Sequence, residues 1–181
     1  MPARPFIVNI ATLRRTPGSR RSEYRRGPIP GLVVTGSHVP EGTDVEVDVV
    51  LEATDGGIVA SGYVTFPWVG DCRRCLAEIS GTQTVDVREL YEPRAGAGPI
   101  ADQVDQEQET YPINGDTIDL MPLGRDAVLL SLPQAPLCRS DCAGLCASCG
   151  ADLNNGDCGC PPAPRDPRFD VLDALRGPEL S

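Results

Sequence analysis

The chain contains no lysine, a single histidine, a single tryptophan and only 4% aromatic residues in 181 positions. Each scarcity excludes something. With so few aromatic rings there is no clear platform on which nucleic-acid bases could stack. His38 lies in TGSHVPEG, a loop by composition, and is expected at the surface; no second imidazole exists to complete a histidine-rich catalytic metal site. Phosphate-cradling glycine loops, a nucleophile elbow and an HExxH helix are all missing. The acidic pairs Glu46/Asp48 and Asp102/Asp105 fall on an apparent strand and in a polar loop, where solvation accounts for them. No enzyme and no small-molecule substrate are expected. No apolar run approaches the ~20 residues that cross a bilayer, so no membrane association is expected either. The opening MPARPFIVNIATLRR has too short an apolar stretch and no small-residue cleavage site to be a secretory signal. A reducing cytoplasm is therefore the expected location, where disulfides rarely persist.

The charge is uneven. Net charge is −10, yet residues 1–30 carry seven arginines against one acid, Glu23. Six of these, Arg14, Arg15, Arg20, Arg21, Arg25 and Arg26, fall within TLRRTPGSRRSEYRRGPIPG, which reads as an unstructured arm too polar for regular structure. A basic arm on an acidic body suggests a charged partner. Arg73 and Arg74 add a second basic point.

Periodicity predicts an α+β fold that is mainly antiparallel sheet. FIVNI and GLVVTG are short strand candidates. Val45, Val47 and Val49 alternate with Glu46 and Asp48, as a half-buried strand requires. The turn Asp55-Gly56-Gly57 leads into IVASGYVTFPW, and Val85 and Val87 alternate with Asp86 and Arg88 in a further strand. Helical crossovers for parallel pairing are absent from the pattern. Residues 92–110 read as an acidic mobile loop, and YPINGDTIDL as one more strand. A helix is expected after Asp119 as N-cap, with Pro122 in its first turn and Pro133 ending it. Near the C-terminus Phe169, Leu172 and Leu175 lie at i, i+3 and i+6, a short amphipathic helix. Three parts follow: an N-terminal strand and arginine arm over 1–30, a β domain over 31–135, and a cysteine-rich module with its helix over 136–181.

Eight cysteines stand out against these scarcities. The tail CRSDCAGLCASCGADLNNGDCGC holds Cys138, Cys142, Cys146, Cys149, Cys158 and Cys160, and GDCRRC places Cys72 and Cys75 between two predicted strands. Closely spaced thiolate pairs on tight turns supply tetrahedral zinc ligands with little ordering cost, so one or two structural Zn(2+) ions are expected. The preferred grouping is Cys146, Cys149, Cys158 and Cys160 at one site. Cys138 and Cys142 would then join Cys72 and Cys75 at the other, fastening the tail to a hairpin tip. A rival grouping closes one site from the tail alone and leaves Cys72 and Cys75 as a free dithiol, open to thiol oxidoreductase chemistry.

On DCRRCLAEI together with LPQAPLCRSDCAGLCASCGADLNNGDCGC and the closing DPRFDVLDALR, the chain closely resembles the YceD family. That family is named for accumulation of the large-subunit ribosomal RNA. The resemblance implies a non-enzymatic role in large-subunit assembly. Two kinds of partner are then open. Ribosomal RNA or a large-subunit precursor particle could be touched by the arm arginines with Arg73 and Arg74. A basic ribosomal protein could instead be held by the acidic body without RNA contact.

Overall fold

The computed structural model describes residues 5–93 and 110–161, together with Arg168 and Leu172. The expected acidic loop falls almost wholly outside these residues, as do Asp102 and Asp105. So does most of the C-terminal helix, of which Leu172 alone is described, exposed.

Eight strands and one helix form the described part. They are β1 (Ile7–Asn9), β2 (Arg20–Gly27), β3 (Ser37–His38), β4 (Val45–Ala53), β5 (Ile58–Asp71), β6 (Glu78–Pro93), β7 (Tyr111–Ile113), β8 (Thr117–Asp119) and α1 (Met121–Ser131). The main sheet runs β2-β4-β5-β6-β7 with β3 added beside β5, while β1 and β8 pair separately. Every pairing is antiparallel except β6 with β7, which is parallel. Three residue pairs make up that exception. The fold is α+β and mainly antiparallel, with a cysteine-rich C-terminal module.

The sheet has one apolar face because its strands alternate. Val45, Val47, Val49, Leu51 and Ala53 of β4 point inward, beside Ile58, Ala60, Val64 and Phe66 of β5 and Tyr91 of β6. Leu120, Leu123, Val128 and Leu132 cover them from α1 and its ends, with Phe6, Val8, Ile10 and Ile118 from the small sheet. Each fully buried Val, Leu or Ile contributes about 1.5–3 kcal/mol. Helix α1 starts where Asp119 accepts the Met121 amide at 2.9 Å through its side chain. It stops at Leu132, which turns extended ahead of Pro133.

Three expectations need correcting. YPINGDTIDL is not one strand: it turns at Asn114–Thr117 and supplies β7 and β8, which lie in different sheets. GLVVTG is not a strand; it doubles back, with the Val34 amide donating to the Ser37 carbonyl and the Val39 amide to Leu32. The arginine arm is not unstructured. Residues 20–27 form β2, paired with β4 over eight positions from Arg20↔Glu52 to Gly27↔Val45. Here the strand is charged in place of apolar, and its charges are paired. Glu23 sits between Arg21 and Arg25 at 2.7 and 2.6 Å, while Arg20 meets Glu52 at 3.0 Å and Arg26 meets Asp44 at 2.7 Å. Opposite charges facing across strands stabilise the pairing by about 0.2–1 kcal/mol each.

Strands β5 and β6 outrun their neighbours, and their hairpin projects to a tip at Cys72–Ala77. After α1 the chain lies along this hairpin. Ser37 Oγ donates to the Pro133 carbonyl, and the Arg73 amide donates to the Pro136 carbonyl at 2.9 Å. A Cβ on Gly36 would come within 2.3 Å of the Gln134 carbonyl oxygen, so only glycine admits the tail there. These contacts deliver Cys138 to the hairpin tip.

Candidate metal centres

The eight thiols gather into two groups of four. Cys72, Cys75, Cys138 and Cys142 have all their sulfurs within 4.8 Å of one another, and so do Cys146, Cys149, Cys158 and Cys160. Cys72 and Cys75 thus lie together with Cys138 and Cys142 of the tail. In the first group Cys72 Sγ and Cys142 Sγ are 3.8 Å apart and Cys75 Sγ and Cys138 Sγ 3.6 Å. Four sulfurs bound at ~2.3 Å around one tetrahedral zinc stand ~3.8 Å from each other, by simple geometry. A disulfide needs ~2.05 Å. The spacing fits a single tetrahedral ion with four thiolate ligands and no open position.

Both groups are built on the same turn. In the first, the Cys72 amide donates to the Ala77 carbonyl at 2.8 Å and the Leu76 amide to the Cys72 carbonyl at 2.9 Å. In the second, the Cys146 amide donates to Ala151 at 2.8 Å and the Gly150 amide to Cys146 at 2.9 Å. The residue after the second cysteine is left-handed in each case, with φ +60° at Leu76 and +73° at Gly150. The sequence carries this repeat as CRRCLA and CASCGA. Only the second has the glycine that the conformation favours.

The turns aim amides at sulfur. Backbone N–H groups of Cys138 and then Cys75 hold the Cys72 thiol down at about 6. Those of Cys149 and Ser148 do the same for Cys146, again to about 6. Cys142 is lowered as well, chiefly by the Asn154 side chain, whose Nδ2 donates to its sulfur at 3.4 Å. Their neighbours move the other way. The Cys142 thiol pushes Cys138 up to about 12, and the Cys149 thiol pushes Cys160 up to about 11. Four thiolates cannot crowd together without a counter-charge. A divalent cation would supply it.

Asn154 and Arg74 join the two groups, and neither role was visible in the spacing. Asn154 Oδ1 accepts from the Ala143 amide at 2.8 Å and from Arg139 at 2.7 Å, while Asp152 receives its amide and side-chain N–H groups. Arg74 Nη1 donates to the Cys142 carbonyl at 2.8 Å, and its own carbonyl accepts from Leu145. The Leu153 amide donates to the Gly144 carbonyl. Asn-Asn shortly after an aspartate, as in ADLNNG, is the signal that could have pointed here.

The candidate basic contacts fare differently. Arg14, Arg20, Arg21, Arg25 and Arg26 each face a carboxylate. Arg74 is spent on the tail. Arg15 and Arg73 are exposed, with no side-chain partner among the described residues.

A protein-family model described as large ribosomal RNA subunit accumulation protein YceD matches residues 60–176. An uncharacterized protein of Mycobacterium tuberculosis is 34% identical over 184 residues, covering 98% of this chain and 84% of the relative. A Mycobacterium leprae protein, also uncharacterized, is 32% identical over 152 residues, covering 82% and 68%. A shorter similarity, 35% over 66 residues, covers 36% of this chain and 21% of an Arabidopsis thaliana protein. That protein is named large ribosomal RNA subunit accumulation protein YCED homolog 1, chloroplastic. No solved structure matches the chain. Both halves of the cysteine arrangement, the hairpin tip and the tail, lie inside the matched span, and the chain belongs to the YceD family.

Proposed function

We propose that this protein is a non-enzymatic factor supporting accumulation of the large-subunit ribosomal RNA, acting in the cytoplasm, with one structural zinc in each four-cysteine group. Family membership supports the ribosomal role. Closed tetrathiolate sets support the structural role of the metal, because a catalytic zinc keeps a position open. Thiol oxidoreductase chemistry through Cys72 and Cys75 is disfavoured, since Cys72 is fully buried among the other three sulfurs.

The observation that supports one partner over the other is the pairing of the arm. Five of its six arginines already hold carboxylates, and a phosphate would have to displace each one. This favours a basic ribosomal protein, bound by the acidic body, over broad contact with RNA. Arg15 and Arg73 carry the second reading, in which two exposed cations touch RNA at separate points.

Binding to a large-subunit ribosomal RNA fragment across a salt series tests the choice. If Arg15 and Arg73 are the contacts, log affinity should fall against log salt with a slope of about two or less. A slope near six would overturn the protein-partner reading, provided that it flattens when Arg14, Arg15, Arg20, Arg21, Arg25 and Arg26 are replaced by alanine.

A further inference from the structure

The two edges of the main sheet are treated very differently. β2 ends the sheet on one side with a row of ion-paired arginines, the charged guarding that keeps edge strands from pairing with other chains. On the other side β6 is long, and β7 covers only Tyr91–Pro93 of it. Among the described residues, positions 78–90 of β6 have no partner strand on that side. This stretch contains no proline and no bulge, and its register with β5 is unbroken from Glu78 to Tyr91. Its backbone groups form an open template.

The surface beside that template is apolar. Val85 and Val87 face inward but are only half-buried, and an open groove of about 580 Å³ separates them from α1. Leu123, Ala127 and Leu130 line its helical wall, and Leu130 is 86% exposed. On the opposite face of the strand, Asp86 and Arg88 are exposed and have no side-chain partner among the described residues.

We propose that a second copy of this chain occupies this edge, the two β6 strands pairing antiparallel about a two-fold axis at Val87. The sequence of the strand is self-complementary in that register. Val87 faces its own copy, Asp86 faces Arg88, and Arg88 faces Asp86, so the dimer holds two identical opposite-charge pairs. A two-fold contact requires this reciprocity. The pairing runs from Thr84 to Leu90 and ends where β7 takes over the edge at Tyr91. On the inner face Val87 meets its own copy and each Val85 lies opposite Glu89 of the other copy, so the contact covers the rims of both grooves. The β sheets of the two copies become one continuous sheet.

Sedimentation velocity on the full metal-loaded chain over a concentration series is the test. The wild type is expected to shift from monomer to dimer as concentration rises. Arg88→Asp and Asp86→Arg should each weaken dimerisation by about tenfold or more, because each places like charges directly opposite one another. The double variant D86R/R88D restores both pairs and should recover the wild-type constant. Far-UV circular dichroism checks that all variants fold. Hydrogen exchange should slow at residues 84–90, and not along β2, as concentration rises. A wild type that remains monomeric would overturn the proposal. So would a dimer indifferent to Arg88→Asp, a swap that fails to rescue, or protection confined to another surface.

Discussion

The two cysteine groups share a turn, a hydrogen-bond pattern and a thiol held down at about 6, yet they stand in very different surroundings. The first lies at the end of a hairpin whose strands pair over fourteen positions, and it buries Cys72 and Cys142. Its ligands are far apart in sequence, with Cys75 and Cys138 separated by 63 positions. Closing so long a loop instead of one of ~15 residues costs about 1.2 kcal/mol more, at ~0.6 kcal/mol per doubling. The sheet and the Arg73–Pro136 bond have already closed it before any metal arrives. The second group draws all four ligands from Cys146–Cys160, where none of the described residues is buried. One turn is shaped by the fold. The other has its ligands and a few hydrogen bonds, with no apolar core beneath it.

The sharpest way to break this comparison is to remove the metal. Elemental analysis of the purified protein should find two zinc ions per chain, and chelation should then act unequally. Because the second segment buries so little apolar surface, metal binding must supply most of its folding energy, on the order of 10 kcal/mol for a closed site. Hydrogen exchange after chelation should show the amides of Cys146, Gly150 and Leu153 unprotected, while Val47, Val64 and Val85 in the sheet keep their protection. Cys158→Ser with Cys160→Ser should reproduce that pattern with the first site still loaded. Simultaneous loss in sheet and tail would mean that the two groups form one unit.

Much of this difference was legible in the sequence, and what was not has physical reasons. Val45, Val47 and Val49 gave β4 because apolar alternation reports a half-buried strand. Asp119 located the start of α1 to within one residue: Leu120 is the N-cap, and the Asp119 carboxylate accepts the Met121 amide beside it. The close pairing of thiols brought out a four-and-four grouping as the preferred one, since arithmetic and short spacing both point to it. β2 was missed because RRSEYRRG has no apolar alternation, and only its pairing with β4 makes it a strand. The parallel pairing of β7 depends on a long-range return of the chain that local periodicity does not encode. Leu76 was silent for another reason. A leucine at φ +60° contradicts local preference, and only the hairpin around it holds the turn.

That last contradiction gives an intermediate test. Leu76 is 65% exposed, so replacing it with glycine removes little buried surface. The substitution relieves a left-handed strain of about 1–2 kcal/mol and adds back ~0.5–1 kcal/mol of unfolded-chain entropy. Leu76→Gly should therefore stabilise the first site by up to about 1 kcal/mol, seen as a several-fold gain in zinc affinity by competition with a chelator. Gly150→Ala should do the reverse at the second site, weakening it by about 1 kcal/mol; no atom lies within 4 Å of the added Cβ, so the cost is conformational. If neither site responds, the shared turn is not what sets their affinities.

The smallest effect concerns single protons. In the folded chain Cys72 and Cys146 are both held near 6, but by different amides: Cys146 by Cys149 and Ser148 of its own turn, Cys72 first by Cys138 of the tail, which the Arg73–Pro136 bond keeps at the hairpin tip, and then by Cys75. Once metal is stripped, the first turn keeps its hairpin and the second loses its shape. Cys72 alone should then retain the low value, while Cys146 returns to the ordinary thiol range near 8.5. Thiolate absorbance at 240 nm, followed from pH 4 to pH 10 in the metal-free protein, should show a step of one thiol near pH 6. Cys72→Ser should erase the early step, and Cys146→Ser should leave it in place. The sign for stability follows from the depressed value. Ionised Cys72 stabilises the metal-free hairpin tip fully above the unfolded thiol's pKa, and that contribution is lost as pH falls through about 6. Two thiols titrating near pH 6 would show that the second turn holds its shape without metal, and the contrast between the two groups would fail at its most local point.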